Sequence, residues 1–458
     1  MLFENDSQLN WLSVVLSERY GHSFRFAAVN GALLMKLEGA EGSVLFDRLL
    51  PERSWASRDV PFTHWDAALE GWQSILDLTL PAPGVSELPT PLIERCAQCH
   101  VIHYDILGLT YWMLARVEEL GSSALDAHGR FSAKSSHAFK NGYLERPVID
   151  EWMHLLGQVI TRQWPNIRLA EHTFETRPSH DVDAPSCYAF TTPLSLLRRM
   201  GGGILRRRDV GTFFLAPWIR ARSQANIHSS DPFNTFDWIM DASEKNGLKS
   251  AFYFICGRTD RKRDSDYEIE HPAIRRLLKR IHERGHEIGL HPSYGTYLDA
   301  AKVRQETERL RRVCNEERIH QPTWGCRMHF LRWSHPVTLR ALEAAGFQYD
   351  STMGYPDHVG FRCGTCHEYP AYDPDEKRIM NIRIRPLIAM ECSIIDSKYM
   401  GLGATQQALL KLKQLKRSCM RVGGAFTLLW HNSRLHDQNE RDIYRNVIRM
   451  ERDSLLLA

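Results

Sequence analysis

The sequence predicts an α/β protein: a distorted (β/α)7-type barrel over residues 166–458, behind an N-terminal mixed α/β domain over residues 1–165. Three observations predict it. From about residue 168 onward, short apolar runs alternate with helix-period stretches, the signature of successive βαβ units. About seven such repeats follow one another without internal sequence repetition, which suits a closed or nearly closed barrel. Histidines and aspartates gather at the ends of the apolar runs, where such barrels assemble their sites.

In the first region, alternation from Leu33 to Phe46 suits strands, and the Pro-rich stretch Leu80–Pro91 reads as a loop. Tyr104–Leu120 reads as an amphipathic helix with Ile106, Leu109, Trp112, Met113 and Val117 on one stripe. Another helix starts near Pro147. In the second region, Ser250–Ile255 is a buried-strand run. His271–Arg284 is a helix, with Pro272 at its start, Gly285 after its end, and Ile274, Leu277, Leu278 and Ile281 in helical register. There follow a strand at His286–Leu290, a charged helix at about 299–316, a strand at Pro322–Cys326 and a helix at His335–Ala345. Strands at Phe347–Tyr349 and Arg378–Ile388, a helix at Thr405–Val422 and a strand at Ala425–Trp430 complete the run. A basic insertion at about 193–225 breaks the rhythm. It carries Arg198, Arg199, Arg206, Arg207, Arg208, Arg220 and Arg222 around Gly201–Gly203. Such a charge run reads first as a solvated face and second as a basic amphipathic surface for peripheral membrane contact or a polyanionic substrate.

Composition narrows the function. Among 458 residues the hydrophobic share is 43%, the charged share 25% and the formal net charge +3, so nothing points to nucleic acid as a partner. Acidic residues near the N-terminus and the lack of an apolar core there argue against a signal peptide. No run of about eighteen apolar residues suggests a membrane span. Ten cysteines then belong in a reducing compartment, and the expected location is the cytoplasm. Two runs, Cys96–His100 and Cys363–His367, read Cys-x-x-Cys-His. Haem attachment of that pattern follows export, and a shared structural zinc requires the two runs to meet. Unpaired loop cysteines are the simplest reading.

Five strand ends carry candidate chemistry. Asp181 and Asp183, two apart on a strand, point the same way and repel unless a cation sits between them or one is protonated. His291, in Gly285–Tyr294, follows the next strand but one and is a candidate nitrogen ligand. Arg327 is placed to hold a buried carboxylate by ion pairing, with His329 two residues on. Asp350 is either a hydrogen-bond acceptor behind the site or a turn residue. His431 closes the last strand, placed to protonate a leaving group.

In this order the motifs resemble those of the polysaccharide deacetylase superfamily, also called carbohydrate esterase family 4. The matching residues are Asp181 and Asp183, Gly285 to His291, Arg327, Tyr349 to Ser351, and Leu429 to His431, spanning about 170–435. The N-terminal region is similar, more loosely, to that of larger deacetylase-like proteins of bacterial surface-polysaccharide gene clusters. The resemblance implies that Asp181 is the general base, Asp183 and His291 are metal ligands, Arg327 orients the base and His431 is the general acid. It implies a divalent metal, foremost zinc. The family's second ligand histidine falls at Gly295 here, so another residue must complete the set; His329 is the first candidate and His180 the next. Ser293, Tyr294, Phe330, Arg332 and Asp350 are the expected substrate-binding residues, with backbone N–H groups near Phe330 at the oxyanion.

The expected activity is metal-dependent removal of an acyl group, acetyl above all, from a sugar of a surface polysaccharide or its precursor. The substrate is a carbohydrate, nucleotide- or lipid-linked. Two alternatives stand beside it: amide-group chemistry on a sugar in O-antigen (lipopolysaccharide) biosynthesis, and carbohydrate binding on a scaffold without activity.

Overall fold

The C-terminal half owes its sheet to short runs such as Ala251-Phe252-Tyr253-Phe254 and Ala425-Phe426-Thr427-Leu428-Leu429, in which every residue is buried. Runs that are apolar on both faces suit parallel strands covered by helices on each side. A computed structural model describes residues 6–55, 57, 59–192, 196–197 and 210–449. In it these strands are β1 (Glu175–Val182), β2 (Ala251–Phe254), β3 (Glu287–Leu290), β4 (Gly325–Cys326), β5 (Tyr349–Asp350), β6 (Ala389–Met390) and β7 (Ala425–Leu429). They neighbour one another in the order β5-β4-β3-β2-β1-β7-β6. Parallel register sets Asp181 opposite Tyr253, Leu290 opposite Cys326, and Cys326 opposite Asp350. Among the described residues no pairing joins β5 to β6, so the expected parallel α/β sheet is present without a strand pairing that closes it.

The helices between these strands each bury one stripe. Pro272–Glu283 buries Ala273, Ile274, Leu277, Leu278 and Ile281, the stripe its sequence periodicity predicts. Its N-terminus is capped by His271, and Gly285 beyond its end has φ 79°.

The chain divides into two compact units. The first comprises Met1–Glu175, Met353–Ile388 and Gln414–Phe426, and the second Thr176–Thr352, Ala389–Lys413 and Thr427–Ala458. Two stretches expected within the barrel thus lie in the first unit. One is the antiparallel hairpin of Tyr369–Asp373 with Arg378–Ile384. Helix Asp6–Tyr20 packs on it, and the Trp11 indole N–H donates to the Pro370 carbonyl at 2.8 Å. Three expectations for the first unit change. Thr79–Pro83, inside the predicted Pro-rich loop, is a strand paired antiparallel with Phe62–Asp66. Proline is tolerated there because a two-stranded ribbon is all edge. The helix predicted over Tyr104–Leu120 is α-helical only at Ile106–Leu114, and all nine of those residues are buried, so it is a core helix rather than an amphipathic one. The hairpin replaces one long predicted strand, and Leu387–Ile388 lie beyond it.

Of the basic insertion, 193–195 and 198–209 lie outside the described residues, and with them Arg198, Arg199 and Arg206–Arg208. Helix Val210–Arg222 follows, burying Ala216 and Ile219 against Tyr188 and Leu196. Among the described residues no helix is long and apolar enough to cross a membrane.

Candidate functional site

Period-two geometry on β1 decides which of its polar residues reach the site. Asp181 and Asp183 share one side. His180 turns to the other, where it stacks on Phe252 and bonds the Trp430 carbonyl at 2.7 Å. Burial lowers its pKa to about 3, despite the Trp430 bond. His180 is thus a neutral core residue, and it is set aside as a metal ligand.

Asp183, His291 and His329 bring one ligand atom each to within 4.8 Å of one another. His291 Nε2 lies 3.3 Å from Asp183 Oδ1 and 3.5 Å from Asp181 Oδ2. Its Nδ1 meets the Arg327 carbonyl, which only accepts, so Nδ1 carries the proton and Nε2 presents a lone pair. His329 Nε2 is 3.7 Å from Asp183 Oδ2, and its Nδ1 donates to Asp264 at 3.0 Å. A second ring N–H held by a carbonyl or carboxylate is how metal-ligating histidines are oriented. Asp183 Oδ1 is buried and has no hydrogen-bond partner, although about a third of the side chain (34%) is exposed. A buried carboxylate oxygen without a donor, 3.3 Å from the His291 nitrogen, suits a cation. These three residues therefore fit a divalent metal, with open positions for water and substrate.

Without the ion, charge collects on the histidines. Burial works against a charged His329, but Asp183 and Asp264 outweigh it and raise its pKa to about 9. Burial raises the Asp183 pKa, but His329 above all, with His431, holds it well below the ordinary carboxylate value.

Arg327 is fully buried and spends three donors: Nη1 on Asp181 at 3.0 Å, Nε on the Ser351 carbonyl at 2.9 Å and Nη2 on Ser351 Oγ at 3.0 Å. Its guanidinium lies 4.7 Å above the Tyr253 ring. That ring occupies space beside Gly289 which a Cβ would invade, 2.4 Å from it, so the glycine before His291 admits the platform under Arg327.

His431 follows β7, with Nε2 at 3.5 Å from Asp183 Oδ2 and Nδ1 against Glu391. Glu391, directly after β6, is fully buried, and its Oε2 has no partner. Burial lowers the His431 pKa, but Glu391 overrides it and raises it well above the ordinary histidine value.

Gly295 donates its N–H to Thr259 Oγ1 at 2.7 Å, and a Cβ there would stand 3.0 Å from the Thr259 side chain. His329, from the next strand end, stands beside Asp183 and His291 instead.

The expected substrate residues separate into two groups. Tyr294, Phe330 and Arg332 stand together: the Tyr294 and Phe330 rings meet edge to face at 5.3 Å, and Arg332 lies 4.0 Å over Tyr294 and 3.6 Å over Tyr297. Phe330 and Leu331 both have positive φ, 61° and 54°, which costs energy in non-glycine residues and marks a constrained turn next to His329. Ser293 and Asp350 are not brought to the site. Ser293 is fully buried and bonded to Glu306 and to Thr259 Oγ1 at 2.9 Å. Asp350 is fully buried and accepts from Thr352 N–H at 3.0 Å and from its hydroxyl, closing its own turn.

Two residues of the site went unseen in the sequence. Asp264 lies in the loop after β2 and accepts from His329 and from three backbone N–H groups, those of Thr259, Asp260 and Tyr294. The one signal for Glu391 is its place as an acidic residue ending an apolar run, Leu387–Met390. A cavity of about 230 Å³ borders Asp183 and Asp264 and is also lined by Ser186, Phe190, Lys262 and Tyr267.

The profile of a family of unknown function (DUF7033) matches residues 10–165. No curated protein matches the chain. Among solved structures, a Mycobacterium smegmatis protein described as a candidate polysaccharide deacetylase is similar over 61% of this chain and 84% of its own, at 18% identity and a TM-score of 0.39.

Proposed function

We propose that the chain is a metal-dependent hydrolase that removes an acyl group from a carbohydrate of a surface polysaccharide or its precursor, on a barrel-type scaffold of the polysaccharide deacetylase kind. The observation that carries this reading is the grouping of Asp183, His291 and His329 between an arginine-held carboxylate, Asp181, and a carboxylate-held imidazolium, His431. The five motifs in family order support the same reading. A divalent ion, zinc foremost, supplies Lewis acidity toward the acyl carbonyl and lowers the pKa of water.

The chain's own residues supply the rest. Arg327 fixes Asp181, whose second oxygen lies 3.5 Å from His291, so this carboxylate takes the proton of the attacking water. The protonated His431, held by Glu391, delivers a proton to the departing sugar nitrogen or oxygen. Tyr294, Phe330 and Arg332 give an aromatic and cationic wall beside His329, suited to a sugar face and to its hydroxyls or an anionic substituent. The lipid- or nucleotide-linked form of the substrate and a cytoplasmic place of action belong to the same proposal.

The test is acetate release from N- and O-acetylated sugars, including nucleotide- and lipid-linked ones, with bound metal quantified. Asp181→Asn and His431→Ala each lower turnover by about a hundredfold or more, with metal content preserved. Asp183→Ala and His291→Ala each lose the metal of this site. No acetate from any substrate, with the metal site full, would move the assignment to amide-group chemistry on the same sugars.

A further inference from the structure

A second set of metal-ligating side chains stands in the first unit. Asp150 lies in the first turn of helix Val148–Gln163, Cys366 and His367 just before the hairpin, and Cys419 near the end of helix Gln406–Arg421. The Asp150 carboxylate, the Cys366 thiol and a His367 ring nitrogen lie within 4.8 Å of one another. The Cys366 thiol donates to Asp150 Oδ2 at 3.5 Å, the Cys419 thiol neighbours that of Cys366, and both thiols are buried. We propose that Asp150, Cys366, His367 and Cys419 form a structural zinc site.

The donor set suits that ion. Tetrahedral zinc with Zn–S about 2.3 Å and Zn–N about 2.0 Å places its donors about 3.5 Å apart. Cys366 and Cys419 would bind as thiolates, releasing their protons to solvent. Two thiolates and one carboxylate bring three negative charges into the core. A divalent ion and Arg19, 3.4 Å from Asp150, balance them. The partners of these ligands already orient them. Asp150 accepts from Thr365 Oγ1 at 2.8 Å and from the Cys366 N–H at 3.0 Å. His367 Nε2 bonds the Val422 carbonyl at 3.1 Å. Gly424 makes the space: a Cβ there would lie 2.2 Å from Cys366 Sγ and 3.1 Å from the His367 ring.

The pairing differs from the expectation that the two Cys-x-x-Cys-His runs share one ion or stay in loops. Cys96 and Cys99 lie against each other, and Cys363 faces Tyr369. Only the second half of the second run joins Asp150 in the cluster, and Cys419 is the proposed fourth ligand.

The experiment is elemental analysis of the full chain purified without added metal, with Asp183→Ala present so that only this site counts. Roughly one equivalent of zinc is expected to remain. It is lost in Cys366→Ser and in Cys419→Ser, and kept in Cys96→Ser. Cobalt exchanged into the otherwise intact Asp183→Ala chain should show thiolate-to-cobalt charge-transfer absorption, a readout that needs no cysteine variant to fold. Absence of that absorption overturns the proposal, as does zinc retained in both Cys366→Ser and Cys419→Ser. Because the Asp183→Ala background lacks a ligand of the proposed hydrolase site, either result leaves the proposed activity untouched.

Discussion

At the scale of single residues, the proposed metal site turns on one proton. His329, with its pKa raised to about 9 by Asp183 and Asp264, must give up its proton to ligate. Below about pH 9 metal therefore competes with that proton, and apparent affinity rises by about tenfold per pH unit. Isothermal titration with zinc between about pH 6 and 8 in buffers of different ionisation enthalpy measures both the slope and the released proton. A pH-independent affinity in the wild type would remove His329 from the ligand set. His431 obeys the opposite logic, since it must stay protonated to donate. Glu391 stabilises its imidazolium, so Glu391→Gln lowers the His431 pKa. The alkaline limb of kcat/KM then moves to lower pH, and Glu391→Asp restores part of the shift. An unmoved limb would mean that Glu391 only packs. Asp181, Asp183, His291, Arg327 and His431 were legible because they end strands in a fixed order. Asp264 was not: it is one of three aspartates in an Arg-Lys-Arg-rich loop, and nothing local says which of them turns inward. His329 was legible only as the nearest histidine to a vacancy.

At the scale of elements, periodicity read the helices well and the prolines badly. The stripe of Pro272–Glu283 was visible because Ile274, Leu277, Leu278 and Ile281 recur at helical spacing. The strand Thr79–Pro83 was invisible because two of its five residues are prolines, which local rules assign to loops. Strand β6 was hidden because it is only two residues long, and the apolar run before it merged with the hairpin. Helix Val210–Arg222 shows what the basic insertion offers. Its buried face, Ala216 and Ile219, faces Tyr188 and Leu196, while Leu215 and Trp218 remain about half exposed, with Arg222 5.9 Å over the Trp218 ring. An apolar-aromatic face beside arginines is the composition of an interfacial helix. If a lipid-linked precursor is the substrate, the full chain partitions onto anionic vesicles, and Trp218→Ser with Arg222→Ser weakens this by about tenfold. Sedimentation with vesicles at low and high salt measures it; partitioning indifferent to both salt and the double variant would return this helix to the solvated-face reading.

At the scale of the whole molecule, the chain leaves the first unit at Glu175 and returns to it twice, at Met353–Ile388 and Gln414–Phe426. No linear reading of composition reveals such returns, because each returning stretch looks locally like another strand or helix of the repeat. What fixes the first return is a buried ionic knot. Glu119 accepts from Arg362 Nη2 at 2.6 Å and from Arg116 Nη2 at 2.7 Å, and all three side chains are buried. Burial raises the Glu119 pKa, but Arg362 and Arg116 outweigh it and hold the carboxyl at about 2. A carboxylate whose folded pKa lies below its unfolded value stabilises the fold fully above about pH 4.5, and that contribution fades as pH falls toward 2. The shift corresponds to about 3 kcal/mol, and removing one member of a buried ion pair costs a similar amount. Glu119→Gln should therefore lower hydrogen-exchange protection in 106–119 and 353–388 together by about 3 kcal/mol near neutral pH. The gap between wild type and variant narrows below about pH 4, where the wild-type carboxylate begins to take up its proton. Equal protection at neutral pH, or loss confined to 106–119 alone, would show that the returning segment is held by its apolar contacts and not by this knot.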